Sequence, residues 1–423
     1  MANKVSNGKA DVLVLGGGMM GVCVAYYLAE RGSTVILVEK GTVGHGCSFA
    51  NAGYVVPGHS MPLATPGIMA QGIKWMLNPE SPFFIKPRWD KDLVRWLWQF
   101  RGACRTGRMY KSMEYLCELN RASMELYREL AREKASEFYF EQKGLLIVCK
   151  TQANMDAAIR EVKDKEKLNI EAQVLNQTEL KLLEPTIGAE VLGGVHFMQD
   201  GHLNSKEFVT GLAESAKKKG AVILEETEVI GWEEGGDKVR KVITTRGDFE
   251  AEQIVLATGA WSAGLMKKLG IKLLVQPAKG YSLTYKKPPV SPQIPMLLSE
   301  TKVAITPLKD ELRMGGTLEL AGLNLTINRR RVGAIMKAVP QYLEGIDPAN
   351  LELVELWRGL RPCSPDGVPI IDRSRRYENL VVACGHAMQG VSLGPITGKL
   401  VSQMLLGDKP MINLAPISCE RFG

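Results

Sequence analysis

Apolar residues divide this chain into strand-length and helix-length stretches, and its N-terminal part shows the division most clearly. Asp11 to Leu15 is an apolar run of strand length. Gly16-Gly17-Gly18-Met19-Met20-Gly21 follows, then the apolar, alanine-containing stretch Val22 to Glu30, of helical length. Arg31-Gly32 suits a helix end, because glycine enters the left-handed conformation of a C-cap freely. Thr34 to Val38 is a second strand-length run that delivers Glu39. Strand, glycine turn, helix, strand and acid in this order predict a dinucleotide-binding βαβ unit.

Farther along, Leu93, Trp96, Leu97 and Phe100 recur at helical spacing, as do Tyr115, Leu116, Leu119, Met124, Leu126, Tyr127 and Leu130. Residues 91 to 135 are therefore predicted helical. Prolines exclude one long helix over 61–90. Gly144 to Cys149, Val174-Leu175 and Gly193 to Met198 read as strands. Thr151 caps a helix to about Leu168, Thr178 starts a short helix before Pro185, and Asn204 or Ser205 caps a helix to Lys219. Val222 to Leu224, Thr227 to Gly231, Val239 to Thr245 and Gln253 to Ala257 are a run of strands. Gln276 to Tyr285 and Ala304 to Glu319 belong to a second sheet, Arg329 to Val339 is helical, and Leu353 to Arg361 returns to the first domain.

The pattern predicts an α/β chain of two domains: a Rossmann-like dinucleotide-binding domain and an interleaved substrate domain on an antiparallel or mixed sheet. Its expected limits are 1–90, 195–272 and 352–423 for the first domain, and 91–194 and 273–351 for the second. Length agrees, since 423 residues exceed one ordinary core. A hydrophobic share of 45% and a charged share of 23% describe an ordinary folded protein. The net charge of +7 suits an anionic cofactor, anionic substrates or a membrane surface, and is too small to argue for nucleic acid.

Residues 12–29 approach the length of a membrane span, and Lys4 and Lys9 imitate a signal-peptide start. Four glycines break that run with a spacing the nucleotide fingerprint already explains, so neither a span nor a signal peptide is expected. The eight cysteines are scattered without a CxxC pair. That disfavours zinc, iron–sulfur ligation and a disulfide framework, and favours a reducing cytoplasm. No metal site is expected.

The glycines have separate roles in such a unit. Gly16 permits the tight turn, Gly18 lets amides approach a pyrophosphate with Met19 and Met20 opening the helix, and Gly21 lets helix and strand pack closely. Glu39, eighteen residues after Gly21, is placed to accept from ribose hydroxyls, with Lys40 beside it. The small-residue loop Gly41 to Gly58 suits backbone lying against a ligand, and Ser48, Asn51, Ala52 and Gly53 are its candidate contacts. Between 61 and 90, Trp75, Phe83, Phe84 and Trp89 alternate with Lys74, Lys86 and Arg88. That stretch suits a membrane interface, a partner, or the cover of a domain core. Val229 lies in the strand run, and Ala257-Thr258-Gly259-Ala260-Trp261-Ser262 ends a buried strand where backbone can pass close to a cofactor. Near the C-terminus, the amides of Gly390, Val391, Ser392 and Leu393 precede a helix that Pro395 opens, a setting for negative charge on a reduced cofactor ring.

These blocks together resemble the D-amino-acid oxidase and glycine oxidase superfamily of FAD enzymes. The resemblance rests on the fingerprint, Ala50-Asn51-Ala52-Gly53, Ala257 to Ser262, Gly359-Leu360-Arg361-Pro362-Cys363-Ser364-Pro365-Asp366-Gly367, and Gly385-His386-Ala387-Met388-Gln389-Gly390. Within it, Ser48 to Gly53 followed by Pro57-Gly58, and Ile73-Lys74-Trp75-Met76, look most like bacterial D-amino-acid dehydrogenases (small subunit). The resemblance implies non-covalently bound FAD, with Gly359 among its contacts, and a substrate sheet covering the flavin. It implies that Arg361 binds the substrate carboxylate, with Arg358 less involved, and that His386 lies near the flavin. Tyr54 and Tyr281 are candidates for the pocket or for core packing. Glycine oxidases have a second arginine where this chain has Met388, which points to a more apolar pocket. His45 and Cys47 lie where some relatives contact the flavin. The implied chemistry is hydride transfer from Cα of a D-amino acid, D-proline or hydroxyproline to flavin N5, giving an imine or 2-keto acid, with electrons passed to a quinone or other carrier. The rivals are an oxygen-using sarcosine, glycine or cyclic imino acid oxidase, and a non-catalytic FAD-bearing subunit. The expected location is the cytoplasm, with the inner face of the cell membrane as a peripheral site.

Overall fold

The computed structural model describes residues 9–133 and 137–422; Lys4, and the last residues of the helix expected over 91–135, lie outside them. The strand Lys9–Leu15 runs at the centre of an eight-stranded sheet among the described residues. It is paired in parallel with Val35–Val38 on one side and Gly247–Leu256 on the other. Val222–Leu224 extends one edge, Leu380–Cys384 adds in parallel beyond Gly247–Leu256, and Lys238–Thr244 and Val229–Gly235 form an antiparallel flap.

Both faces of this sheet are covered, which is why its strands read as unbroken apolar runs rather than alternating ones. Val12, Val14, Val35 and Leu37 belong to the core beneath the helices, and Leu13, Leu15, Ile36 and Val38 to the core on the other face. The helix Met19–Glu30 is buried at every position except Glu30, because Ser205–Lys218 and Gly394–Leu406 pack around it. The contact is close enough that a Cβ on Gly398 would lie 2.6 Å from the Cys23 carbonyl carbon. Each fully buried Val or Leu here contributes about 1.5–3 kcal/mol.

The second sheet has nine strands among the described residues. Its order is Leu353–Cys363, Gln276–Lys286, Glu311–Leu320, Val303–Pro307, Met296–Leu298, Leu145–Cys149, Gly193–Phe197, Ala172–Asn176, with Phe83–Ile85 also paired to Glu311–Leu320. The structure places in this sheet three strands that chain order had given to the first domain, one of them, Gly193–Phe197, only from residue 195 on. Leu353–Cys363 pairs along its length with Gln276–Lys286 as an edge strand. Gly193–Phe197 lies between Leu145–Cys149 and Ala172–Asn176. Phe83–Ile85 joins the same sheet. An apolar strand carries no mark of which sheet it will join, so order alone misassigned these.

The opposite exchange occurs at the helix Thr106–Arg132, which was expected in the substrate domain. Tyr115, Leu116, Leu119, Met124, Tyr127 and Leu130 share the core of Met19–Glu30 instead. The preceding helix, Lys91–Ala103, is capped by Asp90, which accepts from the Asp92 and Leu93 amides, and packs under the second sheet through Leu93, Trp96 and Phe100. One cap also moves. The short helix Gln177–Leu183 starts from Asn176, whose side chain accepts from the Glu179 amide in a reciprocal capping box, not from Thr178.

Candidate active site

At the C-terminal ends of the parallel strands lies a cleft of about 350 Å³, walled on one side by the second sheet. Gly16, Gly18, Met19, Met20, Glu39 and Lys40 line it from the fingerprint, and Ser48 and Asn51 from the following loop. Val229, Ala257, Gly259 and Trp261 form another wall. Arg361, His386, Gly390 and Val391 complete it.

The fingerprint glycines differ in what surrounds them. Gly16 has φ +105°, and a Cβ there would lie 2.7 Å from the Ala257 carbonyl oxygen. A Cβ on Gly21 would lie 1.8 Å from the Gly16 oxygen, so helix and turn touch only because it is absent. Gly18 differs: an added Cβ would meet nothing closer than Ser48 Oγ at 3.5 Å. Its space is kept open beside the positive end of a helix, where a pyrophosphate fits. Glu39 is held by the Gly17 and Gly41 amides, at 2.7 and 3.0 Å, and Ser48 Oγ accepts from the Met19 amide at 3.0 Å. Lys40 lies over the Trp261 ring at 3.4 Å.

The C-terminal loop is fixed from behind. Tyr127 donates to the Val391 carbonyl at 2.5 Å. Asn120, wholly buried in the middle of its helix, donates to Gln389 Oε1 at 2.6 Å and Ser60 Oγ at 2.9 Å, and accepts from Ser392 Oγ. Ser392 Oγ in turn accepts from the Val56 amide at 2.9 Å. Ser392 therefore ties two loops together outside the cleft lining. His386 lies 2.9 Å from Thr397 Oγ1, whose only proton goes to the Leu393 carbonyl. The imidazole must then donate from Nε2, and burial pushes its pKa down to about 3, so it is neutral.

Arg361 is the cation that the second sheet contributes to the site. Nη1 donates to the Thr317 carbonyl at 2.9 Å, and no carboxylate among the described residues pairs with the guanidinium. Burial lowers its pKa, but an arginine stays a cation. An unpaired cation in a half-buried cleft is a site for an anion. Arg358, three residues earlier on the same strand, is exposed and donates to the Leu325 carbonyl instead. Cys47 sits beside Arg361, its thiol bonded to the Leu360 backbone and pushed up to about 11 by burial.

Several expected contacts lie outside the cleft lining. The Ala52 carbonyl accepts from Thr306, and a Cβ on Gly53 would lie 2.1 Å from the Leu203 oxygen, so both serve the junction with neighbouring strands. Gly359 makes room for the Trp357 ring, 2.1 Å from where its Cβ would be. Leu393 is the N-cap residue of Gly394–Leu406. Tyr54 gives its hydroxyl to the Met296 and Ile305 carbonyls, and Tyr281 bonds Glu319 at 2.9 Å. Met388 is 46% exposed and also outside the lining. Thr227, Glu228, Lys268 and Leu323 line the cleft without having been anticipated. Thr227, Glu228 and Leu323 lie in loops and Lys268 ends the short helix Ser262–Lys268, so no periodicity marks them as a group.

Among the described residues no group of His, Cys, Asp or Glu is placed to hold a metal, and all eight cysteines are free. A parallel-sheet nucleotide cleft roofed by a second sheet that contributes a cation defines a two-domain, dinucleotide-dependent oxidoreductase. The chain belongs to the FAD-dependent oxidoreductase family, whose model matches residues 11–404. It is 32% identical over 97% of its length to a D-amino acid dehydrogenase of Granulibacter bethesdensis, covering 99% of that protein. Among solved structures, glycine oxidase from Geobacillus kaustophilus matches with a TM-score of 0.81 at 25% identity, over 98% of this chain and 99% of that one. L-proline dehydrogenase from P. horikoshii has the same fold, with a TM-score of 0.75 at 21% identity over 98% of both chains. The cofactor is FAD, and the open space at Gly18, the cleft-lining Glu39 and the Gly390-Val391 backbone fit it.

Proposed function

We propose that the protein is an FAD-dependent amino-acid dehydrogenase acting on D-amino acids, D-proline and hydroxyproline included. The observation that carries this reading is the unpaired Arg361 guanidinium in the cleft, which suits a substrate carboxylate, joined to the likeness to a D-amino acid dehydrogenase. FAD supplies the two-electron acceptor. The chain's part is to hold the substrate: Arg361 takes the carboxylate in a forked hydrogen bond, fixing Cα, while Gly390 and Val391 present backbone to the ring system. His386 is neutral, with Nε2 donating to Thr397, and burial makes it too weak a base to take a proton from substrate at working pH. The amine therefore reacts in its neutral form, and water hydrolyses the released imine to a 2-keto acid.

Electrons leave to a quinone or another carrier. Ile73, Leu77 and Trp89 are 64, 84 and 106% exposed beside exposed Lys74 and Lys86, which supports an anionic lipid surface as the place of docking. Among the described residues no helix is long and apolar enough to cross a membrane. Co-sedimentation with phosphatidylglycerol vesicles checks this, and Ile73→Ser/Leu77→Ser/Trp89→Ser should abolish it.

The central test is the visible spectrum of the purified flavoprotein under anaerobic conditions, with D- and L-amino acids and prolines added in turn. Bleaching by D-amino acids is the expected outcome. Bleaching by glycine or sarcosine alone, with peroxide released in air, would establish an oxidase. A flavin that no amino acid bleaches would make the chain an electron-transfer subunit.

A further inference from the structure

Arg361 reaches its position by an unusual path. It belongs to the edge strand Leu353–Cys363 and pairs with Ala278 on the middle strand. Its Nη1 nevertheless bonds the Thr317 carbonyl on the third strand, Glu311–Leu320. The side chain therefore crosses the middle strand, and it does so over Gly280. A Cβ there would lie 2.1 Å from Nη1, 2.5 Å from Cζ and 2.5 Å from Nη2. The three heavy atoms nearest to that missing atom all belong to the guanidinium.

The third strand is deformed at the same level. Lys279 pairs with Glu319 and Tyr281 with Gly316, so Thr317 and Leu318 together face Gly280 in a β-bulge. Thr317 has φ +69°, a conformation costly for a β-branched residue. The bulge fixes the peptide between Thr317 and Leu318. Its N–H donates to the Pro82 carbonyl at 2.7 Å, and its C=O accepts from Arg361. The strained turn of the backbone thus presents one peptide to two partners, the Pro82 carbonyl and the Arg361 guanidinium.

We propose that Gly280 and the bulged Thr317–Leu318 peptide form a seat that fixes the Arg361 guanidinium, making Gly280 a positioning residue for carboxylate recognition. The seat occupies one edge of the fork and leaves its other N–H groups for the substrate. The proposal rests on the assignment of Arg361 to the substrate carboxylate, and the experiment separates the two.

The FAD-loaded full-length protein is titrated calorimetrically with propionate, and with propylamine as a ligand lacking the carboxylate. Gly280→Ala should weaken propionate binding and raise the substrate KM by about tenfold, the loss of one charge-assisted contact. Propylamine affinity, FAD content and kcat at saturation should stay within about twofold. Propionate affinity lost in Arg361→Leu but kept in Gly280→Ala overturns the seat and leaves the Arg361 assignment standing. Affinity kept in Arg361→Leu overturns the assignment itself. Should Gly280→Ala fold poorly, Gly280→Ala/Arg361→Ala should recover the thermal midpoint of Arg361→Ala, because the collision is with the guanidinium. A double variant as unstable as Gly280→Ala would overturn the proposal.

Discussion

Arg361 and His386 line one cleft but stand in opposite electrostatic states. The arginine keeps its charge without a partner, so its free energy depends on what enters the cleft. Arg361→Leu removes a forked, charge-assisted contact and should raise KM by roughly 10–100-fold, with FAD content unchanged. Steady-state kinetics beside the visible flavin absorbance of the purified protein check both halves. The histidine is neutral and already bonded to Thr397. With its pKa pushed down to about 3, its titration lies far below working pH. The kcat/KM profile should therefore rise with pH along the substrate's amino group and show no inflection near the usual imidazole value of about 6.5. Stability carries the same signature. An unfolded chain binds a proton at His386 below about pH 6.5 that the folded one refuses until about pH 3, so folding weakens as pH falls through that window. His386→Gln should flatten that part of a thermal midpoint against pH curve.

At the scale of elements, the βαβ unit was legible because each position carries a steric signal. Gly18 and Gly21 are both glycines of the fingerprint, yet their substitution should fail in different ways. Gly21→Ala drives a Cβ against the Gly16 oxygen and should lower the thermal midpoint of the apoprotein, costing about 2–4 kcal/mol. Gly18→Ala meets only Ser48 Oγ at contact distance, so the apoprotein should melt unchanged while FAD affinity falls. Scanning calorimetry with and without FAD separates the two. Leu353–Cys363 shows where legibility ended: chain order returned it to the first domain, whereas its backbone pairs with Gln276–Lys286 in the second sheet, and backbone pairing leaves no mark in the side-chain pattern. Tyr54 and Tyr281 show the same limit among side chains. Their phenols suited a pocket, and found backbone and Glu319 instead.

The whole molecule is held around the cleft by contacts that ignore chain order. Asn120, central in Thr106–Arg132, joins Ser60 to Gln389 and Ser392, tying its own helix to two distant loops. Asn120→Ala leaves those buried groups unsatisfied and should cost about 2–4 kcal/mol, with a weakened hold on FAD because Ser392 adjoins the Gly390-Val391 backbone. Thermal melts and flavin retention on dilution measure it. Nothing in the local sequence marks Asn120, since a polar residue at a helix-core position has no pattern until its partners are known.

The central strand Lys9–Leu15 pairs with Gly247–Leu256, which pairs with Leu380–Cys384, and the cleft is finished by Gly390 and Val391. On the ribosome, the fingerprint emerges long before Gly390 and Val391 are made. At ordinary elongation rates that interval is roughly 20–80 s. Until Gly247–Leu256 follows, Lys9–Leu15 has only Val35–Val38 to pair with among its sheet neighbours, and the nucleotide cradle is half built. The complete cleft is open to FAD only once Gly390 and Val391 have been made, so cofactor supply governs how completed clefts are filled rather than how the chain begins to fold.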